Sequence, residues 1–294
     1  MNIVVCVKQV PDTAAERKLT SADSTLDRDA ADGLINELDE YAIEEALLLQ
    51  EAHGGEVTVL TMGPDKAAES IRKALSMGAD KAVHLVDDAL AGSDALGTSY
   101  ALAQVLKTIG FDLVVVGAES TDARMGAMAA MLAERLGVPQ LSLASEVEID
   151  GQQVKIHRQS DDGYQVVEGS LPAVIGVVEK INEPRYPSFK GIMAAKKKPV
   201  QTMGLADAGI DASLVGLANA ATEVVDFAER PPRQAGSLRC AALGVWPPAW
   251  TAARCSPCAC GRQTCRCASC RSAASRGAAM GRSWPSWASW PRRG

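Results

Sequence analysis

The sequence predicts an α/β fold: a parallel sheet with helices on both faces, an appended antiparallel meander, and a C-terminal arm. Three observations predict it. Short, predominantly aliphatic runs recur at residues 3–7, 57–62, 82–86 and 113–116, as expected of strands buried on both faces. Amphipathic helical stretches separate these runs, the alternation of βαβ units. Downstream, Asp150-Gly151 and Asp162-Gly163 divide alternating runs, and Asp-Gly in that setting is the strongest short hairpin signal.

The elements follow in order. Residues 3–7 form the first strand, and Pro11-Asp12 ends it. Residues 13–35 are polar and aperiodic and read as a loop with room for a small hairpin. Residues 36–53 form a helix in which Ile43, Ala46, Leu47 and Gln50 step at three and four, with Glu44, Glu45 and Glu51 elsewhere and Gly54-Gly55 as the stop. The strand at 57–62 closes at Gly63-Pro64. Asp65 is placed to cap a helix whose buried stripe is Ile71, Ala74, Leu75 and Met77.

A strand at 82–86, a helix at 94–109, a strand at 113–116 and a helix at 123–136 continue the series, with Gly110 and Gly137 ending the helices. The meander comprises runs at 147–149, 154–156 and 164–167, and residues 173–178 are apolar enough for a central strand. Ser188 caps a short helix that ends in Lys196-Lys197-Lys198-Pro199, charges suited to a helix C-terminus. Residues 1–199 thus read as one Rossmann-like α/β domain, and residues 200–235 as an extended arm.

Composition narrows the function classes. The chain has 294 residues, 47% apolar but only 4% aromatic, so the core is aliphatic. No run of 18 apolar residues occurs, so no membrane-spanning helix is expected. Met1-Asn2-Ile3-Val4-Val5 enters a strand directly, without the pattern of a secretory signal. The net charge of −6 averages two unlike parts. Residues 1–235 carry 21 Lys and Arg against 36 Asp and Glu, a balance of −15, while residues 236–294 carry nine Arg and no other charged residue. An acidic body repels a phosphate backbone, which argues against nucleic acid as a partner. Its single cysteine, Cys6, fits a cytoplasmic protein.

No catalytic constellation emerges. His53, His84 and His157 lack a Cys, Asp or second His at metal-ligand spacing. Neither G-x-S-x-G nor G-x-x-x-x-G-K-[ST] occurs, and the first strand leads into Val7-Lys8-Gln9-Val10-Pro11 rather than G-x-G-x-x-G. One loop stands out: Gly117-Ala118-Glu119-Ser120-Thr121-Asp122-Ala123-Arg124-Met125-Gly126, at the carboxyl end of the fourth strand. Ligands bind at that edge of open α/β sheets, and small residues, hydroxyls and a helix N-terminus suit an anion. The same residues also suit an ordinary strand-to-helix turn capped by Ser120, Thr121 or Asp122. Cys6 reads as a small core hydrophobe.

Residues 182–199, Asn-Glu-Pro-Arg-Tyr-Pro-Ser-Phe-Lys-Gly-Ile-Met-Ala-Ala-Lys-Lys-Lys-Pro, strongly resemble the beta subunit of electron transfer flavoprotein. So do Val4-Val5-Cys6-Val7-Lys8-Gln9-Val10-Pro11-Asp12, Asn36-Glu37, Ala42-Ile43-Glu44-Glu45-Ala46, the stretch at 71–80, and Glu119-Ser120-Thr121-Asp122. The resemblance spans residues 1 to about 235. It implies a heterodimer with an alpha subunit, in which one FAD, held mostly by alpha, carries electrons from acyl-CoA and related dehydrogenases of fatty acid oxidation to a quinone oxidoreductase. It further implies an AMP held structurally by the beta subunit. The matching AMP shell is Cys6, Asn36, Glu37, Leu38, Asp39, Met62, Gly117, Ser120, Thr121, Asp122 and Gly126. The matching dehydrogenase-docking residues are Arg185, Tyr186, Phe189, Ile192, Met193, Lys196 and Lys197. Family members often have Gly where Ala123 stands and Thr where Met125 stands, and Phe189 replaces a usual aliphatic anchor. If position 123 needs a positive φ, Ala there costs about 1 kcal/mol. Two rivals remain: a bifurcating type whose beta subunit binds a second FAD instead of AMP, and an unrelated adenine-nucleotide-binding α/β protein, which would need phosphate-gripping Lys or Arg or a Ser-Gly-Gly loop, none of which the sequence shows.

The resemblance stops at Gln234-Ala235-Gly236. Beyond it lie all five Trp and seven of the eight Cys, with no Ile, Phe, Tyr, Asn, His, Lys, Asp or Glu. Cys255-x-x-Cys258 and Cys267-x-x-Cys270 have zinc-like internal spacing, but Cys260 and Cys265 intervene in a span shorter than that of usual zinc ribbons. Ala, Arg, Gly, Pro, Ser, Cys and Trp without periodicity are what GC-rich DNA yields out of frame, so 236–294 reads as a frameshifted, disordered tail that leaves this chain poorly equipped to pair with alpha. Resequencing the 3′ end of the gene is expected to find the shift. An intact frame, with one zinc recovered per chain, would refute that reading.

Overall fold

In the computed structural model, which describes residues 1–20, 22–228 and 231, the aliphatic runs pair into one nine-stranded sheet. In chain order the elements are β1 (Asn2–Cys6), β2 (Gln9–Pro11), β3 (Gly33–Ile35), α1 (Glu37–His53), β4 (Glu56–Met62), α2 (Ala68–Met77), β5 (Lys81–Leu85), α3 (Ala95–Ile109), β6 (Leu113–Gly117), α4 (Met128–Leu136), β7 (Gln140–Asp150), β8 (Gln153–Ser160), β9 (Gly163–Ser170), β10 (Ala173–Val177), α5 (Phe189–Ala195) and β11 (Val200–Met203). The sheet order is β11-β5-β4-β1-β6-β10-β7-β8-β9. The first seven strands in that order run parallel, and β7, β8 and β9 form the antiparallel meander.

Alternation of side chains across the sheet explains the unbroken aliphatic runs. Ile3 and Val5 enter a layer with Ile43 and Leu47 of α1 and Ile71 and Leu75 of α2. Val4 and Cys6 enter the opposite layer with Leu102 and Leu106 of α3 and Leu132 of α4. Both faces of β1 are therefore closed to water, and no polar alternation is possible. Both Asp-Gly turns form as expected, with Gly151 and Gly163 at positive φ. The apolar run near 175 becomes β10, between β6 and β7.

Several local expectations are corrected. The polar stretch before α1 ends in a strand: β3 pairs antiparallel with β2. Asp65 lies in a 3-10 turn and does not cap α2, whose N-cap is Ala67. Helix α4 starts at Met128 rather than at 123, because residues 118–127 are an extended loop. β7 starts earlier than the alternating pattern, since Gln140 and Leu141 first pair parallel with β10 before the strand turns to its antiparallel partner. The arm is anchored at its start: Val200–Met203 joins the sheet edge as β11, parallel to β5. The lysine run also acts elsewhere than on its own helix. Lys198 Nζ donates to the carbonyls of Leu75, Gly78 and Ala79, at the C-terminal end of α2. The tail from 236 onward lies outside the described residues. Among those described, no helix is long and apolar enough to cross a membrane.

Candidate functional site

The carboxyl ends of β4, β1 and β6 lie side by side, and the chain leaves β1 toward β4 while β6 arrives from the far side. This switch point is where an open α/β sheet has room for a ligand. Here it is organised by the first turn of α1. Asn36 sits at the N-cap of that helix, but its side chain does not cap the helix's backbone amides. Its amide reaches across to the loop after β6: Nδ2 donates to the Glu119 carbonyl at 3.0 Å, and Oδ1 accepts from Thr121 N–H at 3.0 Å. Asn36 Nδ2 also donates to Asp39 Oδ1 at 3.0 Å, and Asp39 Oδ2 accepts from Lys8 N–H at 2.7 Å.

Gly117 makes this approach possible. A Cβ there would lie 2.5 Å from Asp39 Oδ1 and 3.0 Å from the backbone carbon of Leu38, so only glycine lets β6 and α1 meet this closely. Leu38 is half-buried beside it and Glu37 faces solvent. Burial pushes the Asp39 carboxyl up to about 7, against the lowering effect of Asn36, the Lys8 amide and the Lys8 charge.

A second carboxylate in the same junction behaves oppositely. Asp122 Oδ1 accepts from Lys8 Nζ at 2.7 Å, and Oδ2 accepts from Arg28 at 3.0 Å. Burial acts to raise its pKa, but the Lys8 hydrogen bond and charge, the Ser120 hydroxyl and the Arg28 charge together hold it at about 2. Lys8 Nζ also reaches Ser120 Oγ at 3.3 Å. Lys8 and Arg28 were not among the residues the sequence pointed to. Lys8 stands directly after the first strand, a placement that could have flagged it; Arg28 comes from the stretch read as a plain loop, and nothing local marks it.

The loop itself carries features of a ligand cradle. Its left-handed residues are Arg124 (φ 50°) and Gly126 (φ 66°), not Ala123, so the substitution at 123 carries no such strain. Ala127 gives α4 no side-chain cap, leaving the helix's first amides for another acceptor. Thr121 Oγ1 is buried without a hydrogen-bond partner. Thr121 also lines a cleft of about 380 Å³ between β3, α1 and α2, as does Ser70, whose buried hydroxyl is likewise unpaired.

The structure thus brings together Asn36, Asp39, Gly117, Ser120, Thr121 and Asp122. It does not bring the side chains of Cys6 and Met62 into that cleft; both pack with the layer under α3 and α4. Burial and the nearby Asp39 push the Cys6 thiol up to about 12, leaving it unreactive.

The second group of sequence-derived residues sits apart from this junction. Tyr186 and Phe189 are 96% and 92% exposed, and Ile192, Met193, Lys196 and Lys197 are exposed beside them. Arg185 differs: it is turned inward onto Glu44 and Glu51 of α1. Among the described residues no cluster of three His, Cys, Asp or Glu could hold a metal.

Residues 23–208 match the model of the electron transfer flavoprotein domain. The chain is 55% identical over 241 residues to the electron transfer flavoprotein subunit beta of Mycobacterium tuberculosis, covering 80% of this chain and 91% of that protein. It is 40% identical over 224 residues to the subunit of the same name from Clostridium acetobutylicum, covering 76% and 86%, and 39% identical over 259 residues to protein FixA of Azorhizobium caulinodans, covering 80% and 92%.

The two carboxylates give opposite pH slopes. Asp39 titrates higher in the fold than in the unfolded chain, so its stabilisation is full below pH about 4 and is lost as pH rises through about 7. Asp122 titrates lower, so its contribution is present above pH about 4 and lost as pH falls through about 2. Urea unfolding of Asp39→Asn at pH 4.5 and 7.5 is expected to show a smaller drop in stability between the two than wild type. An equal drop in both proteins would mean that Asp39 does not titrate in this window.

Proposed function

Because the chain belongs to the electron transfer flavoprotein family and matches its beta subunits, we propose that it forms the nucleotide-holding and dehydrogenase-docking half of a heterodimer with an alpha subunit. Membership supports flavin-associated electron transfer, and the name beta subunit implies the alpha partner. The finer reading is that the complex takes electrons from acyl-CoA and related dehydrogenases and passes them to a quinone oxidoreductase in the cytoplasmic compartment. A shared FAD, held mostly by alpha, supplies the electron-carrying chemistry when bound; this subunit contributes no catalytic residues of its own.

The observation that carries the nucleotide reading is the junction between α1 and the loop after β6. Thr121 has a buried hydroxyl without a partner, α4 begins uncapped, and Lys8 and Arg28 together outweigh by one charge the Asp122 carboxylate they share. That set fits the phosphate end of AMP. Ser120, Thr121, Gly126 and the first turn of α4 would hold the phosphate, while Asn36, Glu37, Leu38 and Asp39 border the site. Cys6 and Met62, at the ends of adjacent parallel strands, would offer backbone groups rather than side chains. With Met125 exposed in place of a family threonine, backbone amides carry more of the contact.

The docking reading rests on Tyr186, Phe189, Ile192 and Met193, apolar side chains held in water with Lys196 and Lys197 beside them. Exposed aromatics rimmed by positive charge suit a transient contact with an acidic partner.

Denaturing the purified heterodimer is expected to release one FAD and one AMP. Two flavins would favour the bifurcating type, and no adenine nucleotide beyond FAD would defeat the AMP assignment. Replacing Phe189 with Ala is expected to slow electron uptake from an acyl-CoA dehydrogenase by an amount equivalent to about 2 kcal/mol or more, with flavin content unchanged. Wild-type transfer kinetics in this variant would reduce Phe189 to a packing residue.

A further inference from the structure

The exposed docking segment is fixed to the body at both ends. At the first end, Asn182 Nδ2 donates to the Tyr41 carbonyl and to Glu45 Oε2, both at 3.1 Å. Arg185 then grips α1: Nε donates to Glu44 Oε2 at 2.8 Å, Nη2 to Glu44 Oε1 at 2.9 Å, and Nη1 to Glu51 Oε1 at 2.7 Å. The Arg185 backbone N–H donates to Glu44 Oε2 as well. Glu44 and Glu45 are 5% and 7% exposed, although nothing in their helical spacing marks them as buried.

At the other end, α5 lies directly on the last turn of α2. A Cβ on Gly191 would sit 2.5 Å from the Ser76 carbonyl oxygen, Ala195 is buried, and Lys198 Nζ closes on three carbonyls at the end of α2. Between these clamps Tyr186, Phe189 and Met193 touch little of the protein. A loop that ordered only on binding would lose rotamer and backbone freedom at that moment, whereas one held beforehand does not.

We propose that Arg185, Gly191 and Lys198 are positioning residues that hold residues 186–197 as a preformed platform, and that Arg185 grips α1 rather than the dehydrogenase. The proposal rests on the docking reading for its functional consequence, but the anchoring has its own readout.

The experiment uses the purified heterodimer and two variants, Arg185→Gln and Gly191→Ala; the second keeps every exposed side chain and both ion pairs. Amide hydrogen exchange over 186–194 is expected to accelerate about tenfold or more in each variant, and the dehydrogenase's KM for the complex to rise several-fold, with the change falling on KM rather than kcat. Unchanged exchange in both folded variants overturns the proposal. So does a raised KM for Arg185→Gln without faster exchange, since Arg185 would then be touching the partner. If Arg185→Gln does not fold, Gly191→Ala and Lys198→Met carry the same two readouts. Should Phe189→Ala leave KM unchanged while exchange still accelerates in Gly191→Ala, the docking reading fails and the anchoring stands.

Discussion

Helix α1 has to satisfy three neighbours at once, and the rest of the molecule is arranged around that constraint. Its apolar side, with Ala42, Ile43, Ala46 and Leu47, is pressed against the sheet. Its first turn supplies Asn36 and Asp39 to the loop after β6. A third face supplies Glu44 and Glu45 to the segment after β10. Two of these contacts are buried and polar, and a buried polar group is tolerated only when its partner is in place. The helix therefore fixes both the loop after β6 and the segment after β10 relative to one sheet. Gly117 is the steric condition for this, because a larger residue at the end of β6 would push the first turn of α1 away.

Charge is distributed in the junction by geometry rather than by composition. Lys8 divides its groups: its backbone N–H goes to Asp39 and its ammonium to Asp122. Asp39 consequently receives hydrogen bonds from neutral donors, and burial dominates its titration. Asp122 receives two cations and stays ionised well below the usual carboxylate range. The two carboxylates of this junction are thereby held in different protonation regimes, Asp39 by burial and Asp122 by the Lys8 and Arg28 cations with the Ser120 hydroxyl.

The segment after β10 shows a different balance. An acidic body displays, at one place, aromatic and thioether side chains beside lysines. Keeping Tyr186 and Phe189 in water is unfavourable for the free protein, while Arg185 beside them is turned inward onto Glu44. The bidentate geometry is what arginine offers and lysine does not.

Much of this was legible in the residues. Unbroken aliphatic runs meant strands covered on both faces, Asp150-Gly151 and Asp162-Gly163 meant hairpins, and the block at 182–199 marked the family, because each of these signals is local in the chain. The Gly117–Gly126 loop could be singled out but not assigned, since an anion site and a simple capped turn use the same residue types. Tertiary structure alone decided the rest. It paired Lys8 and Arg28 with Asp122, buried Glu44 and Glu45, paired Arg185 with Glu44, gave Lys198 to α2, and placed residues 200–203 at the sheet edge. Each of these joins positions dozens of residues apart. Whether a carboxylate meets a cation, a carbonyl or water depends on which distant segment the folded sheet brings to it, and no local spacing encodes that.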